Sequence, residues 1–319
     1  MALGEFDLIH HYFDRPGGRA VLGIGDDCAL VAPTPGMQLA ISTDMLVEGR
    51  HFLSTVAPER LGHKSLAVNL SDLAACGARP LAFTLSLALP RVDEAFLAGF
   101  SRGLFALADA HGIELVGGDT TAGPLNISIT VFGEVPPGRA LLRSGARPGD
   151  QLWISGTLGD ARLALEVFRG TLPLAGDAFE QVRQAMEQPT PRVALGQALQ
   201  GVASAAADIS DGLLGDLGHI LKRSGVGAQL DADALPRSAV LAAQPLAVQR
   251  QCTLAGGDDY ELVFTAPAEA AAAVQAAGRA AGVAVTCVGH IQAGPGLRVV
   301  DAAGRPVDHG LASFDHFKT

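Results

Sequence analysis

Carboxylates recur through this sequence beside glycine pairs or at the ends of short apolar runs. Asp26 and Asp27 follow Gly23-Ile24-Gly25, Asp44 follows Leu39-Ala40-Ile41-Ser42-Thr43, Asp119 follows Val116-Gly117-Gly118, and Asp208 and Asp211 bracket Ile209-Ser210. Asp72 joins them from a stretch with helical periodicity. Carboxylates that converge repel one another unless cations sit between them. Magnesium takes octahedral oxygen ligands and keeps water and phosphate oxygens among them, so single carboxylates at element ends suit a multi-magnesium site that holds a polyphosphate. Each acid also has an ordinary reading. Gly-Asp-Asp is good turn chemistry, Asp44 could end a strand, Asp72 could be a solvated helix position, and Asp208, Asp211 or Ser210 could cap a helix. The placements together weigh more than any one of them. Gly117-Gly118 could be a turn, but glycine also lets backbone approach a phosphate closely. Arg143 is a phosphate-ligand candidate because guanidinium binds phosphate oxygens in bidentate fashion.

The positioning of these groups depends on the elements around them. A chain of 319 residues exceeds the size at which one hydrophobic core stops growing, so two domains are expected. Hydrophobic residues make up 48%, charged residues only 18%, and there are 39 glycines, which suits a compact α/β (α+β) protein with many tight turns. A formal net charge of −10 argues against a nucleic-acid partner and makes divalent metal the mediator for any anionic substrate. No apolar run reaches membrane-spanning length. The first residues lack the basic-then-apolar order of a secretory signal, so the cytoplasm is expected. Cys28, Cys76, Cys252 and Cys287 are widely spaced without a CxxC pair, as expected of small buried thiols in a reducing compartment.

Residues 6–13 carry apolar side chains at 6, 8, 9, 12 and 13, a short amphipathic helix. Residues 38–43 read as a strand with Leu39, Ile41 and Thr43 inward and Asp44 at its exit. Residues 60–76 form a helix with Leu61, Leu66, Leu70 and Leu73 on one period, ending at Gly77; Asn69 and Asp72, three apart, share a face. A strand at 83–89, a long helix at 93–111, a short strand at 114–116 and a strand at 126–135 follow. Pro136-Pro137-Gly138 marks a break, and the domains are expected to cover 1–140 and 141–319. The second half alternates again, with strands at 151–155, 204–209, 261–265 and 283–288, helices after Gly159, Arg192 and Gly212, a loop-rich stretch before Gly256, an alanine-rich helix and a terminal hairpin at 297–307.

Gly23-x-Gly25-x-x-Cys28 nearly matches a dinucleotide fingerprint, but the third glycine is missing and two acids stand where a pyrophosphate would press. Neither a Walker loop nor the protein-kinase signatures occur. The motifs that do occur are GIGDDCA (23–29), ISTD (41–44) with GRHF (49–52), NLSDLAACGARP (69–80), GGDT (117–120), RSGARPGD (143–150), DISDGL (208–213) and GGDDYEL (256–262). In this order and spacing the chain resembles the thiamine-monophosphate kinases of the aminoimidazole-ribonucleotide-synthetase-like superfamily.

The resemblance implies ATP- and Mg²⁺-dependent phosphorylation of thiamine monophosphate to thiamine diphosphate, the last step of thiamine diphosphate biosynthesis. It also implies a homodimer whose N-terminal sheets form a shared barrel. It assigns metal to Asp27, Asp44, Asp72, Asp119, Asp208 and Asp211, with the hydroxyl residues Ser42 and Thr43. Catalysis is carried by Asp27, Asp44, Asp72 and Asp119. Gly118, Asp119, Arg143 and Ser210 meet ATP, and His51 and Asp258 meet thiamine monophosphate. Two positions depart from the family's pattern: Asp258 stands where Glu is usual, and Leu311 aligns with an aromatic substrate-binding position, for which Phe314 is the expected replacement. The resemblance further implies direct γ-phosphoryl transfer without a phosphoenzyme, a matter of positioning and charge neutralisation.

Rival readings within the superfamily are a ring-closing purine synthetase, a hydrogenase-maturation dehydratase and a selenophosphate synthetase. The dehydratase would need a C-terminal cysteine, and the chain ends Phe317-Lys318-Thr319. The selenophosphate synthetase would need a reactive residue ahead of the glycine motif, whereas Cys28 follows it. A metal or nucleotide sensor that retained the site without turnover is the rival from another class.

Overall fold

The computed structural model describes residues 4–310, apart from 16, 19, 308 and 309. The chain divides into two compact units, one made of residues up to Leu73 with Ala78–Gly138, the other of Ala74–Gly77 with the chain from Arg139 onward. Among the described residues no helix is long and apolar enough to cross a membrane.

The first unit opens with α1 (Glu5–Tyr12), whose start is set by the Asp7 carboxylate accepting the Gly4 N–H at 3.0 Å. A two-stranded ribbon follows, β1 (Ala20–Leu22) with β2 (Leu30–Val31). Next come β3 (Gln38–Val47), α2 (Pro58–Cys76), β4 (Arg79–Leu89), α3 (Glu94–His111), β5 (Glu114–Ala122) and β6 (Asn126–Val135). The sheet order is β3-β6-β4-β5, antiparallel except for the parallel β4/β5 pair. The apolar period of α2 lies inward as expected, with Leu61, Leu66, Leu70 and Leu73 all essentially inaccessible. The ends of α3 follow local chemistry: the Asp93 side chain accepts the Phe96 N–H, and Gly112 closes the helix in the left-handed region.

Two expectations for this unit are corrected. β3 is an edge strand that turns Leu39, Ile41, Thr43 and Met45 out to solvent, while Ala40, Ser42, Asp44 and Leu46 are the more covered set. Asp44 therefore lies within the strand, which runs on to Val47, rather than at its exit. Likewise β5 does not stop at Val116; it carries Gly117-Gly118-Asp119 inside the ladder, level with Thr84, Leu85 and Ser86 of β4. The four strands form an open sheet, not a closed barrel.

The second unit contains β7 (Gln151–Ser155), α4 (Asp160–Phe168), α5 (Gly176–Glu187), α6 (Val193–Ala198), β8 (Ala205–Ile209), α7 (Leu213–Ser224), β9 (Gly227–Asp231), α8 (Ala239–Ala242), α9 (Leu246–Ala255), β10 (Glu261–Ala266), α10 (Ala271–Ala281), β11 (Val285–Gln292) and β12 (Gly296–Val300). Its six-stranded sheet runs β12-β9-β11-β7-β10-β8, with only β12 and β9 parallel. One core joins Leu152, Ile154, Ile209, Leu217, Leu230 and Val263; a second gathers Leu163, Ala164, Val182, Met186, Leu241 and Cys252. The stretch expected to be loop-rich holds β9, α8 and α9, whose short apolar runs are buried by this sheet and this second core. Of the four free cysteines only Cys252 is buried; Cys28 and Cys287 are exposed, against the expectation of buried thiols.

A buried carboxylate fixes the chain ahead of β3. Glu134 of β6, 1% exposed, accepts the Thr34 N–H and hydroxyl, each at 2.9 Å, and pairs with the Arg79 guanidinium. Burial alone would raise its pKa, but the Thr34 and Arg79 hydrogen bonds outweigh it and hold the carboxyl below its ordinary 4.5. A depressed carboxyl stabilises the fold above its unfolded value, and the contribution is lost as pH falls through the folded value. The native protein should accordingly lose melting temperature as pH drops below 4.5, and Glu134→Gln, costing about 1–3 kcal/mol at neutral pH, should flatten that acid limb. Thermal melts of both proteins from about pH 3 to about pH 7 check it; parallel acid limbs would refute the assignment.

Candidate functional site

In the first unit the acids fall into two groups. At the β3 edge, the Ser42 hydroxyl donates to the Asp72 carboxylate across from α2. Asn69, 1% exposed, accepts the Asp44 N–H at 3.0 Å and donates its amide to the Ser65 carbonyl, also at 3.0 Å. Ser42, Asp44, Asn69 and Asp72 are thus brought together, as the three-residue spacing on α2 implies. Thr43 turns to the opposite face, where its hydroxyl meets Thr130 at 2.8 Å. His51 lies just past the strand; its Nδ1 accepts the Val47 N–H at 3.0 Å, so the neutral ring carries its proton on Nε2.

The second group lines a cavity of about 650 Å³. Asp26, Asp27, Gly117, Gly118 and Asp119 share this cavity with Thr84, Leu115 and the Phe6, Ile9 and Phe13 side chains of α1. Gly118 has φ 149°, and a Cβ there would stand 1.8 Å from the Leu85 carbonyl oxygen, so no other residue fits. β3 and β5 are the two edges of the four-stranded sheet, three strand spacings or roughly 14 Å apart. Asp44 and Asp119 therefore serve different places on one sheet.

In the second unit two loops are fastened together. The Asp216 carboxylate accepts the N–H groups of Ser210, Asp211 and Gly212, each at 3.1 Å. Neither Ser210 nor Asp211 caps α7; Gly212 occupies the cap position without a side-chain bond. Asp208 sits in β8, 4% exposed. The Ser210 carbonyl accepts the Asp258 N–H at 2.9 Å, and the Ile209 carbonyl accepts the Tyr260 N–H at 2.8 Å. Asp258 and Tyr260 both hold positive φ, 66° and 51°, a costly backbone that persists where the surroundings over-determine it. Gly257 completes the contact, since a Cβ would stand 2.4 Å from the Ser210 carbonyl oxygen. The Tyr260 hydroxyl donates to Asp258 Oδ1 at 2.9 Å.

The electrostatics mark the same region. Burial, then the neighbouring Asp211 carboxylate, push Asp216 up to about 7, against the pull of the backbone N–H groups and of the Arg143 guanidinium. Arg143, exposed, thus acts on the loop that carries Ser210 and Asp211. Asp259 is driven well above the ordinary carboxyl value by burial, although one oxygen accepts the Gly159 N–H at 2.9 Å. Asp216, Asp259 and Tyr260 do not figure in the sequence-derived site. For Asp216 a signal existed: it falls on the apolar 213/217/220 stripe of α7, where a lone acid needs an internal partner. Leu311 and Phe314 lie outside the described residues.

Among the described residues no three His, Cys, Asp or Glu side chains gather closely enough to hold a cation unaided. The donor set fits magnesium shared with phosphate and water, one or two carboxylates at each place with a hydroxyl nearby, better than a closed protein cage.

Comparisons with known proteins agree with this architecture. Residues 25–135 match the AIR synthase related protein N-terminal domain, and 147–302 match the corresponding C-terminal domain. The thiamine-monophosphate kinase of Salmonella typhimurium is 48% identical over the whole of both chains, and that of Escherichia coli K12 is 46% identical, also over the whole of both. The crystal structure of thiamine-monophosphate kinase from Stenotrophomonas maltophilia K279a superposes with a TM-score of 0.85 at 46% identity, covering 91% of this chain and 92% of that one. A structure of AaThiL complexed with AMPPCP and TMP superposes with a TM-score of 0.78 at 31% identity, covering 90% and 89%. Matched from end to end by these relatives and carrying both AIR synthase related domains, the chain belongs to the thiamine-monophosphate kinases.

Proposed function

We infer that this protein transfers the γ-phosphoryl group of ATP to thiamine monophosphate, giving thiamine diphosphate and ADP. The observation that carries the reading is 48% identity to a thiamine-monophosphate kinase over the full length of both chains; a relative's complex with AMPPCP, an ATP analogue whose β–γ bridge cannot be cleaved, supports the co-substrate. A phosphate oxygen of thiamine monophosphate attacks the γ-phosphorus as the bond to the β–γ bridging oxygen breaks. The acceptor is already anionic, so no side-chain base is required.

The residues divide the work. Gly118 lets backbone approach the nucleotide, Asp119 and Ser210 contact it, and the Arg143 guanidinium takes phosphate oxygens. His51, Asp258 and Leu311 bind thiamine monophosphate, with Asp258 aimed by the Tyr260 hydroxyl. Asp27, Ser42, Thr43, Asp44, Asp72, Asp119, Asp208 and Asp211 hold Mg²⁺. Bound magnesium would supply the positive charge that two phosphorylated substrates need on a protein of net charge −10. The N-terminal domain, 1–140, carries the dimer contact and most of the nucleotide- and metal-holding residues; 141–319 forms the second domain, which adds Arg143, Asp208, Ser210 and Asp211. The protein works in the cytoplasm.

A homodimer completes the proposal. Leu39, Ile41 and Met45 on the β3 edge are 49%, 59% and 54% exposed, and Val21 and Leu30 of the β1/β2 ribbon 71% and 54%. An apolar edge strand left open invites pairing, and a second copy would extend the open sheet toward a shared barrel.

Incubation with ATP, Mg²⁺ and thiamine monophosphate should yield thiamine diphosphate and ADP by chromatography; tight nucleotide binding without turnover would favour a sensor. Asp44→Asn should lower turnover by at least about a hundredfold, by analogy with removal of one charge-stabilising group, while the melting temperature holds or rises because repulsion is relieved. Near-normal turnover in saturating Mg²⁺ would exclude Asp44 from the machinery. In sedimentation, the native chain should run at twice 32.7 kDa and Ile41→Lys as a folded monomer; a native species at 32.7 kDa would contradict the dimer.

A further inference from the structure

The loop at 256–260 carries backbone strain that one side chain within it helps to hold. Among the described residues Asp258 and Tyr260 are the non-glycine residues with left-handed backbone, φ 66° and 51°, and they flank Asp259. Such backbone persists only where its surroundings over-determine it. The N–H groups of Asp258 and Tyr260 fasten the loop to the Ser210 and Ile209 carbonyls, while Asp259 reaches a different loop. Its Oδ1 accepts the Gly159 N–H at 2.9 Å, from 100 residues further along the chain. Gly159 is the N-cap of α4. In an ordinary capping box the side chain at the third helical position reaches back to that N–H. Here the third position is Arg162, which has donors only and spends them on Glu166. Asp259 supplies the missing acceptor from outside the helix.

We propose that Asp259 is a positioning residue for thiamine monophosphate, its bond to the Gly159 N–H locking the 256–260 loop so that Asp258 is held toward the substrate. This rests on the reading that Asp258 binds thiamine monophosphate, and adds what keeps it in place. Asp259 makes its bond as a neutral acid. Its other oxygen is closed to solvent and has no hydrogen-bond partner among the described residues. Glu261, Asp160 and Asp258 are acidic neighbours, and nearby cations are committed elsewhere, Arg162 to Glu166 and Arg192 to Glu261. Burial above all, with these carboxyls, outweighs the Gly159 bond and keeps the group protonated. Asparagine has the same shape, an acceptor oxygen and no charge, so it can stand in. The nucleotide side is secured separately, because Asp216 holds the N–H groups of Ser210, Asp211 and Gly212. Loosening the 256–260 loop therefore leaves the Ser210 loop in place.

Steady-state kinetics of the full chain with ATP, Mg²⁺ and thiamine monophosphate test the assignment. Asp259→Ala should raise the KM for thiamine monophosphate about tenfold, the scale of one lost hydrogen bond, and leave the KM for ATP unchanged. Asp259→Asn should keep both constants and the melting temperature of the native protein. Should Asp259→Ala not fold, Asp259→Ser, whose hydroxyl falls one bond short of the Gly159 N–H, carries the same expectation. A native KM for thiamine monophosphate in the folded alanine or serine variant, an equal rise in both constants, or a loss of kcat alone would overturn the assignment. So would Asp259→Asn if it were as impaired as Asp259→Ala. Asp258→Ala separates this inference from the reading beneath it. A raised KM for thiamine monophosphate there, beside an unaffected Asp259→Ala, would overturn the inference and leave Asp258 as a substrate residue. An unchanged KM in Asp258→Ala, or native protein that neither turns over nor binds thiamine monophosphate, would remove both.

Discussion

Like charges repel, and this protein must bring two anionic substrates onto a chain of net charge −10. Its architecture answers by dispersal. The acids of the first unit are divided between the β3 edge and the cavity beside β5, and those of the second unit sit near the end of β8 and on two loops fastened to each other. Individual carboxylates are also held by neutral donors: Asp72 by the Ser42 hydroxyl, Asp258 by the Tyr260 hydroxyl, Asp216 by three backbone N–H groups. Such bonds orient the oxygens without adding a charge beside them, and at Asp216 burial and the Asp211 carboxylate outweigh them.

The second consequence of dispersal is that precision has to come from the backbone. Gly118 packs where no Cβ fits, and Asp258 and Tyr260 accept left-handed backbone in a loop whose N–H groups bond to the neighbouring strand end. The acids themselves are short side chains with few rotamers, so once the backbone is fixed their oxygens are nearly fixed too.

Much of this was legible in the sequence. The long helix read at 93–111 is α3, the apolar period of α2 lies inward, and the order of the motifs points to the family. The misreadings have physical causes. Leu39, Ile41 and Met45 look like a core face because an apolar strand face reads alike whether it meets its own core or is left uncovered. Gly117-Gly118 looks like a turn because glycine usually marks one, yet here it is strand backbone packed against Leu85. The role of Asp216 depends on three N–H groups converging from the preceding loop, which no pattern of residue types displays. The helices at 239–255 are short, and their apolar residues are organised by the core around Leu163 and Val182 rather than by a strong period of their own.

The cysteines have a practical bearing. Burial pushes the Cys252 thiol up to about 12, which leaves it un-ionised and unreactive, whereas Cys28 and Cys287 are open to solvent. Thiol reagents attack the thiolate, so a maleimide dye should discriminate sharply among them. Cys28 belongs to the first unit, directly after Asp27, and Cys287 to the second. The native chain thus carries one fully exposed attachment point on each unit, with the half-buried Cys76 of the second unit the one competitor for a dye.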